Sequence, residues 1–339
     1  MRVCFFAKVK ERELIDRMEF YKQDVDILHD LGFDVVISTN WREIPTNVDF
    51  YFIWWWTWAF LPITKSAITR QPCLVTGIFD FRSPTGDDFF HRPLWERWLM
   101  RYTLKRAQTN VFASQLEYRA VSTTLPVTNP VYIPLVVDTS LFAPGAGPRE
   151  NFVLTVARMN GGNSARKCVA EAIRSIPAVH APHPEMRFVI AGEKGSDYET
   201  LARAVDELGL AGCVEFPGVI SREKKIELMQ RCKVYLSPSR YEGFGLAILE
   251  AMSCGAPVVS SPVGEVPEVV ADAGLLVDGS SPEAIAAAVN RYLDDDRLRG
   301  QMSQRARQRA ETVFPRSRRK RELEKAITEM LAKNGRNAN

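Results

Sequence analysis

Short apolar runs alternate along this chain with stretches in which apolar residues return every three or four positions. Residues 2–7 (RVCFFA) form a run of buried-strand type, residues 14–31 carry a helical pattern that Gly32 stops, and residues 34–39 form the next run. Runs at 48–54, 73–79, 109–113 and 131–136 continue the series, with helical segments between them. The pattern then restarts: a strand at 151–159 (NFVLTVARM), a polar glycine loop (NGGNSARK), a helix to about residue 176, and strands at 186–191, 214–219 and 233–237. Residues 234–268 read as strand, loop, helix over 246–252 stopped at Gly255, and a second strand at 257–260. Strands alternating with helices at this spacing predict parallel, doubly wound α/β sheets.

Two such series predict two facing Rossmann-like domains, with a cleft at the carboxyl ends of the strands. We place them at residues 1–147 and 148–314, followed by a tail at 315–339. In the tail Leu323, Ala326, Ile327, Met330 and Leu331 share one helical face, while Arg316, Arg318, Arg319, Lys320 and Arg321 crowd its start. Such a helix either packs on the first domain or offers a basic surface to anionic lipid.

Composition narrows the class. At 339 residues the chain is comfortable for two domains, and its net charge of +3 argues against a general nucleic-acid binder. Cys4, Cys73, Cys168, Cys213, Cys232 and Cys254 show no CxxC pair and no zinc spacing, so they read as the reduced thiols of a cytoplasmic protein. MRVCFFAKVK meets charge too early for a signal peptide, and FYFIWWWTWAFLPI is too short to span a bilayer.

The chemistry gathers at residues 234–268. Glycines at the head of a helix let backbone N–H groups approach an anion, and the helix dipole adds to the attraction. Glu242 lies in the loop before that helix and Glu250 inside it, flanked by Leu249, Ala251 and Met252. A carboxylate among such neighbours is costly unless hydrogen-bonded, and sugar hydroxyls are donors of the right kind.

Glu242 and Glu250, with seven residues between them in EGFGLAILE, together with the flanks SPSRYEGFG and AMSCGAPVVSSPVGEVPEVV, resemble the Glu-x7-Glu signature of retaining glycosyltransferases of family 4. The resemblance covers residues 131–314 and is topological before that. It implies the two-domain glycosyltransferase-B fold, a nucleotide-diphosphate-sugar donor in the cleft, and a last helix crossing back onto the first domain. It also implies that Arg158 and Lys167 grip the diphosphate, which makes a metal unnecessary. Here their loop is longer than the usual Gly-Arg-Leu-x-x-x-Lys, and Arg166 rivals Lys167. Glu250 would accept from ribose hydroxyls and Glu242 from the transferred sugar. Backbone groups of Gly243, Phe244, Gly245 and Leu246 would face sugar and phosphate, and those of Gly218 and Val219 would read the base, leaving uridine, guanosine and adenosine donors open.

The first domain departs from the family. Its first loop is AKVKERE, with Lys8 and Lys10 where glycines are usual, and Phe79 stands where a histidine is common. Asp80 is our acceptor-side carboxylate and is counted with the catalytic groups Glu242, Arg158 and Lys167. His91 is near enough in sequence to line the acceptor side. Trp54 and Trp56, in a cluster with Trp55 and Trp58, offer faces to a carbohydrate or lipid-linked acceptor, although strand alternation turns some of these rings inward. His180 and His183 lack further metal ligands, and Asp294 to Asp296 offers an Asp-x-Asp spacing at a helix junction. The reading is a cytoplasmic, metal-independent retaining glycosyltransferase with no cofactor, working by front-face attack, with its last helix as a candidate peripheral contact with an anionic membrane. An epimerase or hydrolase on the same fold, and a non-catalytic nucleotide-sugar-binding relative, are the alternatives.

Overall fold

The computed structural model describes residues 1–83 and 88–337. The chain divides into two compact units, Met1–Leu135 with Arg316–Asn339, and Val136–Pro315.

The first unit is built on six parallel strands: β1 (Arg2–Ala7), β2 (Asp34–Ser38), β3 (Phe50–Trp54), β4 (Cys73–Gly77), β5 (Thr109–Phe112) and β6 (Pro130–Tyr132), in the order β2-β1-β3-β4-β5-β6. Helices cover both faces of such a sheet, so its central strands are apolar on every residue rather than on alternate ones. All five residues of β3 and of β4 are buried. Fully burying one large apolar side chain contributes about 1.5–3 kcal/mol, which makes these runs the main support of the unit. The helix expected over 14–31 is broken at Met18, whose extended backbone separates Leu14–Arg17 from Glu19–Asp30.

Helix Arg316–Asn337 packs within this unit by burying Leu323, Ala326, Ile327 and Met330. Its basic start is largely engaged in the protein. The Arg319 side chain is fully buried, donating to Asp24 at 2.6 and 2.8 Å and to the carbonyls of Ile133 and Pro134 at 3.0 Å each. Arg316 pairs with Asp30 at 2.6 Å and Arg318 with Glu322 at 2.9 Å. Arg316, Arg318 and Arg319 are thus engaged within the protein, while Arg321 stays exposed.

The second unit repeats the plan with β7 (Glu150–Val156), β8 (Arg187–Ala191), β9 (Val214–Gly218), β10 (Cys232–Ser237), β11 (Val258–Ser260) and β12 (Leu275–Leu276), all parallel, in the order β12-β11-β10-β7-β8-β9. The segment 136–147 belongs here rather than with the first unit. Val137 bridges to Pro315, the Phe142 carbonyl accepts from Ser253 and Arg307, and the Ala143 carbonyl accepts from Gln230. The six cysteines are free and buried. Among the described residues no helix is long and apolar enough to cross a membrane.

Candidate functional site

The loop after β10 delivers the chain to helix Leu246–Ser253 through Gly245, which holds a left-handed φ of 92° and has no side-chain cap. Only glycine takes that turn without strain. With no cap, the N–H groups of the first turn point out of the helix end and carry its positive pole.

Glu242 stands just ahead of this turn and is 7% exposed. The Lys167 ammonium contacts its Oε1, Ser239 Oγ donates to the same oxygen at 2.7 Å, and an Arg166 nitrogen lies 3.6 Å from Oε2. Burial pushes its pKa up, but Lys167 and Arg166 outweigh burial and hold the carboxyl below its ordinary range. Its backbone is fixed as tightly. A Cβ on Gly264 would lie 1.8 Å from the Glu242 carbonyl, so only glycine permits that approach. Arg166 also donates to the Tyr241 carbonyl at 2.8 Å and to Asn163 at 2.9 Å, which joins the 158–167 loop to the 239–242 loop.

Glu250 is 2% exposed inside the helix. Lys225, on helix Arg222–Arg231, donates to its two oxygens at 2.8 and 2.9 Å, and the same ammonium lies 5.2 Å from the Phe142 ring centre. The carboxylate expected to need a ligand's hydroxyls therefore has a partner from the protein, 25 residues away in sequence. Only its apolar neighbours hinted at such a partner. Tyr235, buried on β10, is electrostatically linked to both acids: burial first, then Glu250 and Glu242, push its hydroxyl well above the usual range.

Arg158 follows β7 with its side chain exposed and no ion pair among the described residues. Its carbonyl accepts from Asn163 at 2.6 Å. Gly218 ends β9 with a φ of 78°, and Val219 beyond it is exposed. Gly243 and Leu246 are half-buried, and Phe244 is pinned edge-on to Phe314 at 5.9 Å.

In the first unit Asp80 sits half-buried on a left-handed turn with φ of 53°. The Glu117 carboxyl, unforeseen in the sequence, accepts from the N–H groups of Phe79 and Asp80 at 2.7 Å each. Burial, with Asp80 adding to it, pushes Glu117 up to about 8. Trp54 and Trp56 are corrections. They are 0% and 1% exposed, with their indole N–H groups given to Asp24 at 3.1 Å and Asn110 at 2.8 Å. Both rings are taken up in the core, Trp54 against Phe20 and Tyr21 and Trp56 stacked on Phe112 at 4.9 Å, which leaves them no face for an acceptor. Phe79 is core as well, 5.3 Å from Trp56, whereas Lys8 and Lys10 are exposed. His91 is exposed and faces Asp88 at 2.8 Å.

Among the described residues no three His, Cys, Asp or Glu side chains cluster as metal ligands would. Asp294 pairs with His183 at 3.1 Å, Asp295 caps helix Asp296–Val313, and Asp296 pairs with Arg299.

Residues 137–309 match the sequence model of the family described as glycosyl transferases group 1. O-antigen chain mannosyltransferase B of Escherichia coli is 40% identical over 116 residues, covering 34% of this chain and 30% of that protein. A D-inositol 3-phosphate glycosyltransferase of Acidothermus cellulolyticus is 32% identical over 181 residues, covering 48% of this chain and 40% of that one. The chain thus spans less than half the length of these curated relatives. Two solved structures align along nearly the whole chain. Anabaena Alr3699/HepE in complex with UDP and glucose has a TM-score of 0.77 at 18% identity, over 97% of this chain and 100% of that one. Sucrose-phosphate synthase from Thermosynechococcus elongatus has 0.76 at 18%, over 98% and 99%. At that identity the likeness is one of fold, the two-domain glycosyltransferase-B type.

Proposed function

This chain belongs to the group 1 family of glycosyl transferases, and on that premise we propose that it is a retaining enzyme of family 4, moving a hexose-type sugar from a nucleotide diphosphate to an acceptor hydroxyl without a metal ion. The observation that carries this reading is a pair of buried carboxylates, Glu242 and Glu250, at one glycine-headed helix, each met by a lysine.

In this reading Glu242 accepts from the sugar's hydroxyls and Glu250 from those of the ribose. Lysine has three donors, so Lys167 serves Glu242 and the diphosphate together. Arg158, Arg166 and the N–H groups of residues 243–246 take the rest of the phosphate charge, and the backbone at Gly218 and Val219 reads the base. The bond from the anomeric carbon to the phosphate oxygen breaks, a bond to the acceptor oxygen forms on the same face, and the acceptor's proton leaves on the departing phosphate. Fixed cations and dipoles aimed at that growing charge are the efficient catalysts of such a step. Asp80 is the proposed acceptor-side carboxylate, His91 a neighbouring polar group, and a glycan or lipid-linked alcohol the acceptor class. The relatives include proteins named for mannosyl transfer and for inositol phosphate, and the HepE structure contains UDP and glucose. The free, buried cysteines suit a reducing, cytoplasmic compartment.

A thermal-shift screen over uridine, guanosine and adenosine diphosphate hexoses tests the donor. A ligand at 100 times its dissociation constant stabilises the fold by about 2.7 kcal/mol. Mass analysis of products with the stabilising donor should then show transferred sugar, abolished in Glu250→Gln. No stabilising donor would overturn the reading, and an isomerised donor would point to an epimerase.

A further inference from the structure

Helix Leu94–Arg106 of the first unit turns Met100, Thr103 and Leu104 into the core and leaves its opposite face bare. On that face Leu94 is 78% exposed, Trp95 54% and Trp98 63%. Single exposed apolar side chains are ordinary, but two tryptophans and a leucine within little more than one turn are a patch. At about 100° per residue, Arg101, Tyr102 and Lys105 continue the same face. Trp98 stacks on Tyr102 at 5.8 Å, and Arg106 lies over the other side of this ridge, 5.8 Å from the Tyr102 ring.

Among the described residues, the charges around the ridge that lack an ion-pair partner are all positive. Among the described residues, Arg82, Arg97, Arg101, Lys105 and Arg106 have no carboxylate partner, and the helix's one acidic residue, Glu96, is held by Arg92 at 3.1 Å. Arg97 and Arg101 instead lie over the Phe89 ring at 5.5 and 5.4 Å. The ridge adjoins a groove of about 410 Å³, where Arg70 and Arg106 meet Tyr102, Gln71 and Asn334.

We propose that this face docks on an anionic membrane surface, with Leu94, Trp95 and Trp98 entering the headgroup layer and a lipid phosphate seated between Arg70 and Arg106. Tryptophan rings favour the depth of the headgroups, and each Lys or Arg beside an anionic leaflet adds attraction. A second copy of the chain fits the face poorly, because a two-fold contact would set these cations against themselves. This inference is independent of the sugar-transfer reading, since its test requires no turnover.

The experiment is co-sedimentation of the full chain with vesicles of phosphatidylcholine alone and of phosphatidylcholine mixed with phosphatidylglycerol. The expected result is pelleting with the anionic vesicles only, weakening as salt rises. Trp95→Ser/Trp98→Ser and Arg101→Glu/Arg106→Glu should each lower the partition roughly tenfold or more with an unchanged melting temperature. Arg321→Glu, on the C-terminal helix, should leave it unchanged. The proposal is overturned if the wild-type chain stays in the supernatant at low salt, if neutral vesicles pellet it equally, if Arg321→Glu alone abolishes pelleting, or if both double variants pellet as the wild type does. A lipid-free dimer that Trp95→Ser/Trp98→Ser dissolves would overturn it too.

Discussion

Lys225 reaches from its own helix to both oxygens of Glu250, at 2.8 and 2.9 Å, and so supplies the countercharge for a carboxylate almost wholly removed from water. Breaking such a pair from one side strands the other charge, which is worse than losing both. Lys225→Met should therefore destabilise the fold by about 3–5 kcal/mol, while Lys225→Met/Glu250→Met should recover much of that loss. Urea denaturation of the two single variants and the double variant closes the cycle. Equal losses in all three would mean that the ion pair does not govern this helix contact.

Glu242 has a folded-state pKa below its unfolded value of about 4.3, because Lys167 and Arg166 overcome its burial. A depressed carboxylate stabilises the fold above the unfolded pKa and loses that contribution as pH falls through the folded one. The stability advantage of the wild type over Glu242→Gln should thus be constant near neutrality and shrink under acid, below about pH 4. Melting curves across that range would refute the pairing if the two proteins ran parallel.

Arg158 and Lys167 should separate by what their loss does to the fold. Arg158 is exposed, so Arg158→Ala should leave stability within about 0.5 kcal/mol while lowering turnover. Lys167→Ala removes a cation beside a buried acid as well as a phosphate ligand, and should lower kcat by about 10²–10³. Arg158→Ala with unchanged kcat and KM would remove that residue from the donor site.

Glu117 behaves oppositely to Glu242. Its pKa is pushed up to about 8, first by burial and then by Asp80, so the folded chain keeps a proton that the unfolded chain has released at neutral pH. Stability relative to Glu117→Gln should be greatest below about pH 4 and decline as pH rises toward the folded value. A flat difference would mean that the N–H groups of Phe79 and Asp80 hold it ionised.

Strands, helices and the acidic loop were legible because each is written in neighbouring residues: β3 in FYFIW, the turn into helix Leu246–Ser253 in its glycines. Lys225 was not, because nothing near it in sequence marks it as the partner of an acid on another helix. Trp54 was misread because alternation suggests one open face, and β3 lies in a sheet covered on both; Trp56, in the turn beyond β3, folds back onto Phe79 and Phe112. The break at Met18 escaped because the apolar period continues across it.

Arg319 neutralises Asp24 from a helix made after the whole second unit, so synthesis and folding are out of step in the first. At typical rates the ribosome needs roughly 10–35 s to make residues 136–315. For that interval the nascent sheet of the first unit holds an acid whose guanidinium has not yet been translated, and closure of that unit waits for helix Arg316–Asn337 to emerge.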